Sequence, residues 1–395
     1  MKPAKPASTT MDELTFVPPT MRALYFRPAS TAITDTTDLG LPRKDSDVVF
    51  DTDFMTPQPA ANQYLVKVLA AAFSHDELRL SRLLNPPKSY PQIPVHNFCG
   101  TVIRTPPQDD YRPSGPRFKV GDVVFGMIGH NHDGAAADYV VVSDDEIALK
   151  PKNITSAEAS SIPLPALTAW QALFKYAALD PNDSHKRHRL RVLVTNAPDS
   201  AVASQAIQLL RSPSLFPTDD NTHHYHRPWI CATCSSPDQA HLISSQVDEI
   251  INAPLPLPLD FNLADTFKSR GWNPVDVVLD CAGQQIFRQA HSPSVIKDTG
   301  TILTAVDSDA GTDMPSAETT HFAKRGIFSR FVTAVPDGAA LARIAELVEK
   351  RELRGCVESV IDLVQGADIL SAGAAGAGGA LRGGVYVFRV NVQVS

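Results

Sequence analysis

The candidate catalytic side chains lie in the first half of the chain: His75, Asp76, Tyr90 and His96 could transfer protons, and Thr168 could donate a hydrogen bond. Imidazole and carboxylate groups exchange protons readily near neutral pH, and a phenol with a pKa of about 10 can protonate a carbanion once it is positioned. The set is therefore suited to acid–base catalysis. Each residue also has a structural interpretation. Tyr90 could pack against neighbouring prolines, Thr168 could stand at a helix start, and the other three could hydrogen-bond within a turn or the core.

Short predicted strands surround the candidate residues in the N-terminal part of the chain. The apolar, β-branched runs lie over 64–73, 99–105, 122–128 and 137–143. Because turn residues separate them at close spacing, they predict an all-β module over about residues 21–150. Residues 21–26 form a further predicted strand, and the polar, proline-rich segment 28–60 is predicted to be mostly loop.

The pattern changes after residue 155. Residues 156–179 carry apolar side chains at helical spacing, with Thr155 or Ser156 as the N-cap. The elements that follow alternate: strands over 191–197, 228–235, 275–283 and 299–306, and helices over 204–212 and 237–246. Alternation of this kind predicts a parallel sheet covered by helices. After a helix over 340–353, the runs CVESVIDL and VYVFRVNV are β-like, which indicates that the C-terminal part rejoins the first domain.

The composition excludes several classes of protein. The chain has 395 residues, of which 43% are hydrophobic and 20% charged, and a net charge of −7. It is therefore expected to be globular and not to bind nucleic acid. No apolar run of about 18 residues occurs, so no membrane span is predicted. Five scattered cysteines do not suit a disulfide scaffold, and residues 1–20 lack the pattern of a targeting peptide, so we expect a cytoplasmic protein.

Several segments resemble the zinc-free quinone oxidoreductase branch of the medium-chain dehydrogenase/reductase family. They are 118–127 (FKVGDVVFGM), 134–142, 148–173, 275–283 (VDVVLDCAG) and 337–353. The run TCSS at 233–236 is similar to fungal trans-acting enoyl reductases of polyketide pathways. The resemblance implies an α/β fold. A GroES-like β-rich catalytic domain would cover 21–155 and 340–395, a Rossmann-type doubly wound parallel sheet domain 156–339, and an N-terminal extension 1–20.

The same resemblance predicts that no zinc is bound. Zinc needs three or four ligands in fixed geometry. The positions that match the catalytic ligands of zinc-dependent relatives are Ser74, His96 and the neighbourhood of Leu167, so one ligand of three remains. No four-cysteine cluster occurs in 105–135 for a structural zinc. The CxxC pair, Cys231 and Cys234, has no second pair at metal spacing and is interpreted as structural.

The resemblance also locates a nicotinamide cofactor. The residues expected to line its site are Asn196, Ser200, Ala201, Val202, Ala203, Thr233, Ser235, Ser236 and Cys281. In relatives, a glycine-rich turn after the first sheet strand lets phosphate oxygens approach backbone N–H groups at a helix N-terminus. The corresponding run 196–203 has no glycine, Pro198 removes an N–H donor, and Asp199 adds a carboxylate. We therefore expect weakened cofactor binding unless Asp199 turns outward.

The end of the second sheet strand suggests NADPH. An acidic residue there would favour NAD, whereas the sequence has hydroxyl and thiol groups at 233–236. Two basic residues that relatives use are absent, because Pro237 occupies one position and the family's late Arg-Gly-Lys reads Arg382, Gly383, Gly384.

Conjugate reduction is the reaction that the resemblance favours. A hydride goes to the β-carbon of an enone, enoyl thioester or quinone, and the enolate is protonated at the α-carbon. Tyr90 resembles the proton donor of mitochondrial-type enoyl reductases, and Thr168 matches a position near the nicotinamide. The substrate would be a small molecule, such as a polyketide intermediate. Two alternatives stay open: a cofactor-independent cyclase or isomerase, and a non-catalytic binding protein. The chain would be a monomer, or a homodimer paired along FVTAV (331–335).

Overall fold

The computed structural model describes residues 16–27, 48–74, 91–108, 115–180, 189–217, 227–306, 324–374 and 385–391. Within them the chain divides into two compact units. The β unit comprises the described residues of Met1–Leu164, Pro336–Glu346 and Gly355–Ser395, and the parallel-sheet unit comprises those of Pro165–Val335 and Leu347–Arg354. The expected combination of a β-rich domain with a doubly wound parallel sheet is confirmed.

The strands are numbered in chain order. They are β1 Thr20–Phe26, β2 Val48–Met55, β3 Tyr64–Phe73, β4 Asn97–Arg104, β5 Val123–Met127, β6 Tyr139–Val142, β7 Ile147–Leu149, β8 Arg191–Val194, β9 Trp229–Cys234, β10 Glu249–Asn252, β11 Val275–Asp280, β12 Ile296–Thr304, β13 Phe328–Phe331, β14 Ser359–Asp362 and β15 Tyr386–Arg389. The α-helices are α1 Ser156–Ser160, α2 Pro163–Trp170, α3 Ala201–Arg211, α4 Pro237–Ile243, α5 Leu263–Ser269, α6 Gln284–Ala290, α7 Gly338–Glu349 and α8 Gly366–Ala374.

The β unit is organised around the long strand β3. Its main sheet has the order β14-β15-β3-β4-β5-β7, β6 pairs with β3, and β1 and β2 form a separate hairpin-like pair. β3 is almost wholly buried because its apolar side chains pack on both faces, and Phe73 stacks on Phe388 of β15 with ring centroids 4.7 Å apart. Ala72 pairs with Asn97 across the β3–β4 ladder, so Ser74 and His96 come to the same edge of the sheet.

The parallel-sheet unit has six strands in the order β10-β9-β8-β11-β12-β13, and all the pairs are parallel. Counted from β8, this is the 3-2-1-4-5-6 order of dinucleotide-binding sheets, in which ligands bind outside the carboxyl ends of the first and fourth strands. Apolar residues of α5 pack under the sheet, where the Phe267 and Trp272 rings meet edge to face. The strand order therefore predicts that a ligand of this sheet binds near the carboxyl ends of β8, β9 and β11.

Two sequence predictions need correction. The segment 28–60 was predicted to be mostly loop. In its described part, 48–60, residues 48–55 form an antiparallel strand that pairs with β1. The helix over 156–179 is interrupted after Ser160, since Pro163 cannot continue a helix but suits the first turn of the next one. It then continues as a π-helical segment, Gln171–Tyr176.

The edge strand also lies earlier than the sequence suggested. Phe328–Phe331 pairs with β12, so only the first residue of the segment 331–335 belongs to the edge strand, and Val332 is buried. Homodimer pairing along this edge stays a prediction. Within the described residues, no helix is both long and apolar enough to cross a membrane.

Candidate functional site

Asn196 follows β8 and forms hydrogen bonds to the carboxyl ends of β9 and β11, next to the point where the strand order reverses. Its backbone N–H donates to Thr233 Oγ1 at 2.9 Å, and its side-chain Nδ2 donates to the Cys281 carbonyl at 3.1 Å. Asn196 has φ 59°, in the left-handed region that asparagine tolerates better than most residues. These bonds fix the turn that leaves β8, and they give Asn196 and Thr233 positioning roles.

The buried carboxylate of Asp280 accepts hydrogen bonds from residues at three neighbouring strand ends. Asp280, at the end of β11, accepts hydrogen bonds from the hydroxyls of Thr195 (2.8 Å) and Thr304 (2.9 Å) and from the N–H groups of Ala282 and Gly283. Burial raises the pKa of Asp280, and these donors oppose the rise. The network therefore holds the ends of β8, β11 and β12 in one arrangement.

The N-terminus of α3 is the part that could hold a diphosphate. Ser200 is the N-cap, and its Oγ accepts from the Ala203 N–H at 3.3 Å, so that N–H is already used. The N–H groups of Ala201 and Val202 donate no hydrogen bond within the described residues, and both residues are partly exposed. Two unpaired N–H groups at the positive end of an eleven-residue helix fit a diphosphate. Glycine is therefore not required for this donor set.

Asp199, which the sequence predicted to oppose a diphosphate unless it turned outward, is held by the next strand end. Its carboxylate accepts from Ser235 Oγ at 2.5 Å and from Gln239 Nε2 of α4. Burial and the negative charge of Asp199 raise the pKa of the neighbouring Cys234 thiol. The prediction of NADPH rested on there being no carboxylate at the end of β9. That premise is wrong, because Asp199 supplies a carboxylate from another turn.

The remaining cofactor residues have mainly structural contacts. Thr233 is buried and accepts from Asn196, while Ser236 caps α4 by accepting from the Gln239 N–H at 3.4 Å. Cys281 is buried, and its N–H donates to Thr195 Oγ1 at 2.8 Å. Ser235 is only partly buried. The groups available to a ligand in this set are therefore the α3 N–H groups and the Ser235–Asp199 pair.

In the β unit, His96 lies immediately before β4 and is 1% exposed. Burial and the neighbouring His130 and His132 lower the pKa of His96 to about 3. Asn97 donates Nδ2 to the Ala72 carbonyl and accepts from the Leu164 N–H at 2.7 Å. His96 is therefore neutral near neutral pH, and Asn97 links β3 to the start of α2.

Sequence reasoning missed two histidines beside His96. The His130 ring meets the His96 ring edge to face, with centroids 4.6 Å apart. Both ring nitrogens of His130 are buried and have no hydrogen-bond partner among the described residues, and burial lowers its pKa. His132 Nε2 lies 3.5 Å from Glu146 Oε1, and Glu146 also accepts from the Gly129 and Ser143 N–H groups. The signal that could have revealed them is the His-Asn-His run at 130–132, which begins three residues after the end of β5.

Several predicted residues cannot be placed. His75, Asp76 and Tyr90 lie outside the described residues, as do Arg382, Gly383 and Gly384. Thr168 is buried and is the sixth residue of α2, so the interpretation of its hydroxyl as a helix-start group is wrong.

Among the described residues, no group of three or more His, Cys, Asp or Glu side chains could hold a metal ion. Cys231 and Cys234 are free thiols within β9, and burial raises the pKa of both. A thiol with a raised pKa is a poor metal ligand and nucleophile near neutral pH. Because the two residues are three positions apart in one strand, their side chains point to opposite faces of the sheet and do not form a pair.

The depressed pKa of His96 predicts a pH-dependent stability. The unfolded value is 6.5 and the folded value is about 3, so the unfolded chain takes up a proton first and stability is lost as the pH falls below 6.5. We expect a loss of about 2 kcal/mol between pH 6.5 and about pH 5. Urea unfolding at each pH measures it. His96→Gln should flatten the slope, and His241→Gln, at an exposed position, should keep it. Equal slopes in all three proteins would contradict the assignment.

Comparison with known families gives two matches along the chain. The profile described as "Alcohol dehydrogenase GroES-like domain" matches residues 60–152. The profile described as "Zinc-binding dehydrogenase" matches residues 255–373. Together they cover more than half of the chain, and the first identifies the β unit as GroES-like.

Individual proteins agree with these matches. A "Probable zinc-binding oxidoreductase, mitochondrial" of Arthroderma benhamiae is 26% identical, over 78% of this chain and 85% of that protein. The "NAD(P)H oxidoreductase RTN4IP1, mitochondrial" of Danio rerio is 26% identical, over 63% of this chain and 62% of that protein. The solved quinone oxidoreductase from Coxiella burnetii superposes with a TM-score of 0.64 at 22% identity, over 94% of this chain and 99% of that one, which shows a shared fold.

Proposed function

This chain belongs to the medium-chain dehydrogenase/reductase family, and we propose that it is a zinc-independent reductase that uses a nicotinamide cofactor to reduce an activated carbon–carbon double bond. The substrate would be an enone, an enoyl thioester or a quinone. The narrower idea of a polyketide intermediate rests on the sequence resemblance alone.

One observation supports the proposal of a dinucleotide cofactor. In the 3-2-1-4-5-6 sheet, the turn after β8 leads into α3, whose Ala201 and Val202 N–H groups are unpaired within the described residues. Such a helix start at the point where the strand order reverses suits a dinucleotide diphosphate. Asn196 holds the turn against Thr233 and Cys281, so these donors are already in place before a ligand arrives.

The chemistry divides between the cofactor and the chain. A reduced nicotinamide, when bound, supplies a hydride to the β-carbon of the activated double bond. The chain must stabilise the negative charge on the substrate oxygen and deliver a proton to the α-carbon. His96 is neutral because of its low pKa, so it would act as a hydrogen-bonding group and not as a cationic acid. Tyr90 is our proposed proton donor, and Thr168 a proposed hydrogen-bond partner of the carboxamide or the substrate carbonyl.

The proposal of zinc independence rests on the donor set. The positions that match the zinc ligands of relatives are Ser74, His96 and the neighbourhood of Leu167, and neither a serine hydroxyl nor a leucine replaces a thiolate. One imidazole does not complete a three-ligand site. Chelator treatment is therefore expected to leave activity unchanged.

The test begins with binding. Purified protein is titrated with NADH and NADPH by calorimetry, and oxidation of the bound dinucleotide is then followed with an enone, an enoyl thioester and a quinone, each with and without a chelator. We expect micromolar binding of at least one dinucleotide and turnover of at least one substrate class. No binding up to about millimolar concentration would reject the reductase and favour a cofactor-independent cyclase or isomerase. Loss of activity on chelation would reject zinc independence.

A further inference from the structure

The end of β9 carries a negative charge that the local sequence does not show. Ser235 follows the strand directly, and its hydroxyl lies 2.5 Å from Asp199 Oδ2 and 2.5 Å from Gln239 Oε1. Gln239 Nε2 donates to the other carboxylate oxygen. Two donors from different elements therefore hold the Asp199 carboxylate beside the end of the second sheet strand.

The position of this charge matters for dinucleotide recognition. In sheets of this order, the group at the end of the second strand faces the ribose of the adenosine half. A carboxylate there accepts a hydrogen bond from the 2′-hydroxyl of NADH. A 2′-phosphate brings up to about two negative charges at neutral pH, and it is normally accommodated by a nearby arginine.

Among the described residues, no cation forms an ion pair or hydrogen bond with Asp199. Its described side-chain partners, Ser235 and Gln239, are both neutral. The first residue of α4 is Pro237, which cannot supply a charge, and Asp238 in the same turn is an exposed acid. Burial raises the pKa of the Cys234 thiol, and the charge of Asp199 adds to the rise. A phosphate at this place would therefore meet repulsion without a described counter-charge.

We propose that Asp199 makes this chain select NADH and reject NADPH, by placing its carboxylate where the 2′-phosphate would bind. The inference rests on the proposed nicotinamide-dependent function. A carboxylate at the end of the second strand usually belongs to that strand's own sequence, whereas here it comes from the preceding phosphate turn. Asp199, which the sequence predicted to weaken cofactor binding, would thus determine which of the two dinucleotides binds.

Binding of the full chain to NADH and NADPH, and to the fragments ADP-ribose and 2′-phospho-ADP-ribose, tests this without turnover. We expect the wild-type protein to bind the ligand without the 2′-phosphate at least about tenfold more tightly in each pair. Asp199→Asn keeps the size of the side chain and removes its charge, so the ratio should fall by about tenfold, mainly because the phosphorylated ligand binds more tightly. Asp260→Asn, at an exposed position of the same unit, removes an equal charge and should leave the ratio unchanged.

The outcomes separate the inference from the function on which it rests. If wild-type protein binds NADPH as tightly as NADH, the role of Asp199 is rejected and the reductase stands. If Asp199→Asn changes the melting temperature but not the ratio, Asp199 is only a brace between the turn and α4, and the inference is again rejected. If neither dinucleotide binds the wild-type protein, the proposed function fails and this inference fails with it.

Discussion

Replacing Asp280 with alanine is expected to lower the free energy of unfolding of the parallel-sheet unit by about 4 kcal/mol. The substitution removes the acceptor of four donors, the Thr195 and Thr304 hydroxyls and the N–H groups of Ala282 and Gly283. Each buried donor left unpaired costs about 1–3 kcal/mol. Part of this cost is recovered, because a buried carboxylate that no longer has to be desolvated stops opposing folding.

Tryptophan fluorescence during urea unfolding measures this loss selectively. The three tryptophans of the chain, Trp170, Trp229 and Trp272, all belong to the parallel-sheet unit. Asp265→Ala is the matched control, because Asp265 is exposed and its ion pair with Lys268 at 3.4 Å is worth little. A shift below about 1 kcal/mol for Asp280→Ala would show that the network does not hold the strand ends together.

Local sequence patterns were sufficient for much of the fold. Apolar runs followed by turn residues predicted β8, β9, β11 and β12, because a strand buried on both faces reads as a continuous apolar segment. The N-cap at Thr155 was also predictable, because it depends on a local contact: the Thr155 side chain accepts a hydrogen bond from the Glu158 N–H, three residues away. By contrast, the segment 48–55 gave no clear alternation, and it is a strand because β1 offers it a partner.

The site was harder to predict, because its decisive contacts join residues far apart in sequence. Asp199 and Ser235 are separated by 36 positions, and nothing near either one indicates the other. Local reasoning therefore missed the negative charge that Asp199 brings to the end of β9. His130 was overlooked because its significance lies in its contact with His96, which the β4–β5 ladder brings about.

Ala201→Pro is expected to weaken dinucleotide binding by about 10- to 100-fold while leaving the fold intact. Ala201 is the first residue of α3, and its N–H has no partner in the described structure. Proline is favoured at this position because its missing N–H would be unpaired anyway. The preceding Ser200, with φ −95° and ψ 124°, already has the extended conformation that a following proline requires. The substitution thus removes one donor to a diphosphate and little else.

The expected size follows from the charge of the ligand, since a hydrogen bond to a charged group contributes about 1.5–3 kcal/mol. Calorimetric titration with NADH and NADPH should show both weakened by the same factor, because the diphosphate is common to them. Ala201→Ser keeps the N–H and should bind as the wild type does, and thermal unfolding confirms that each variant is folded. Undiminished binding by Ala201→Pro would mean that the diphosphate does not use the first N–H of α3. A change in the NADH/NADPH ratio would instead place the 2′-phosphate, and not the diphosphate, at this helix.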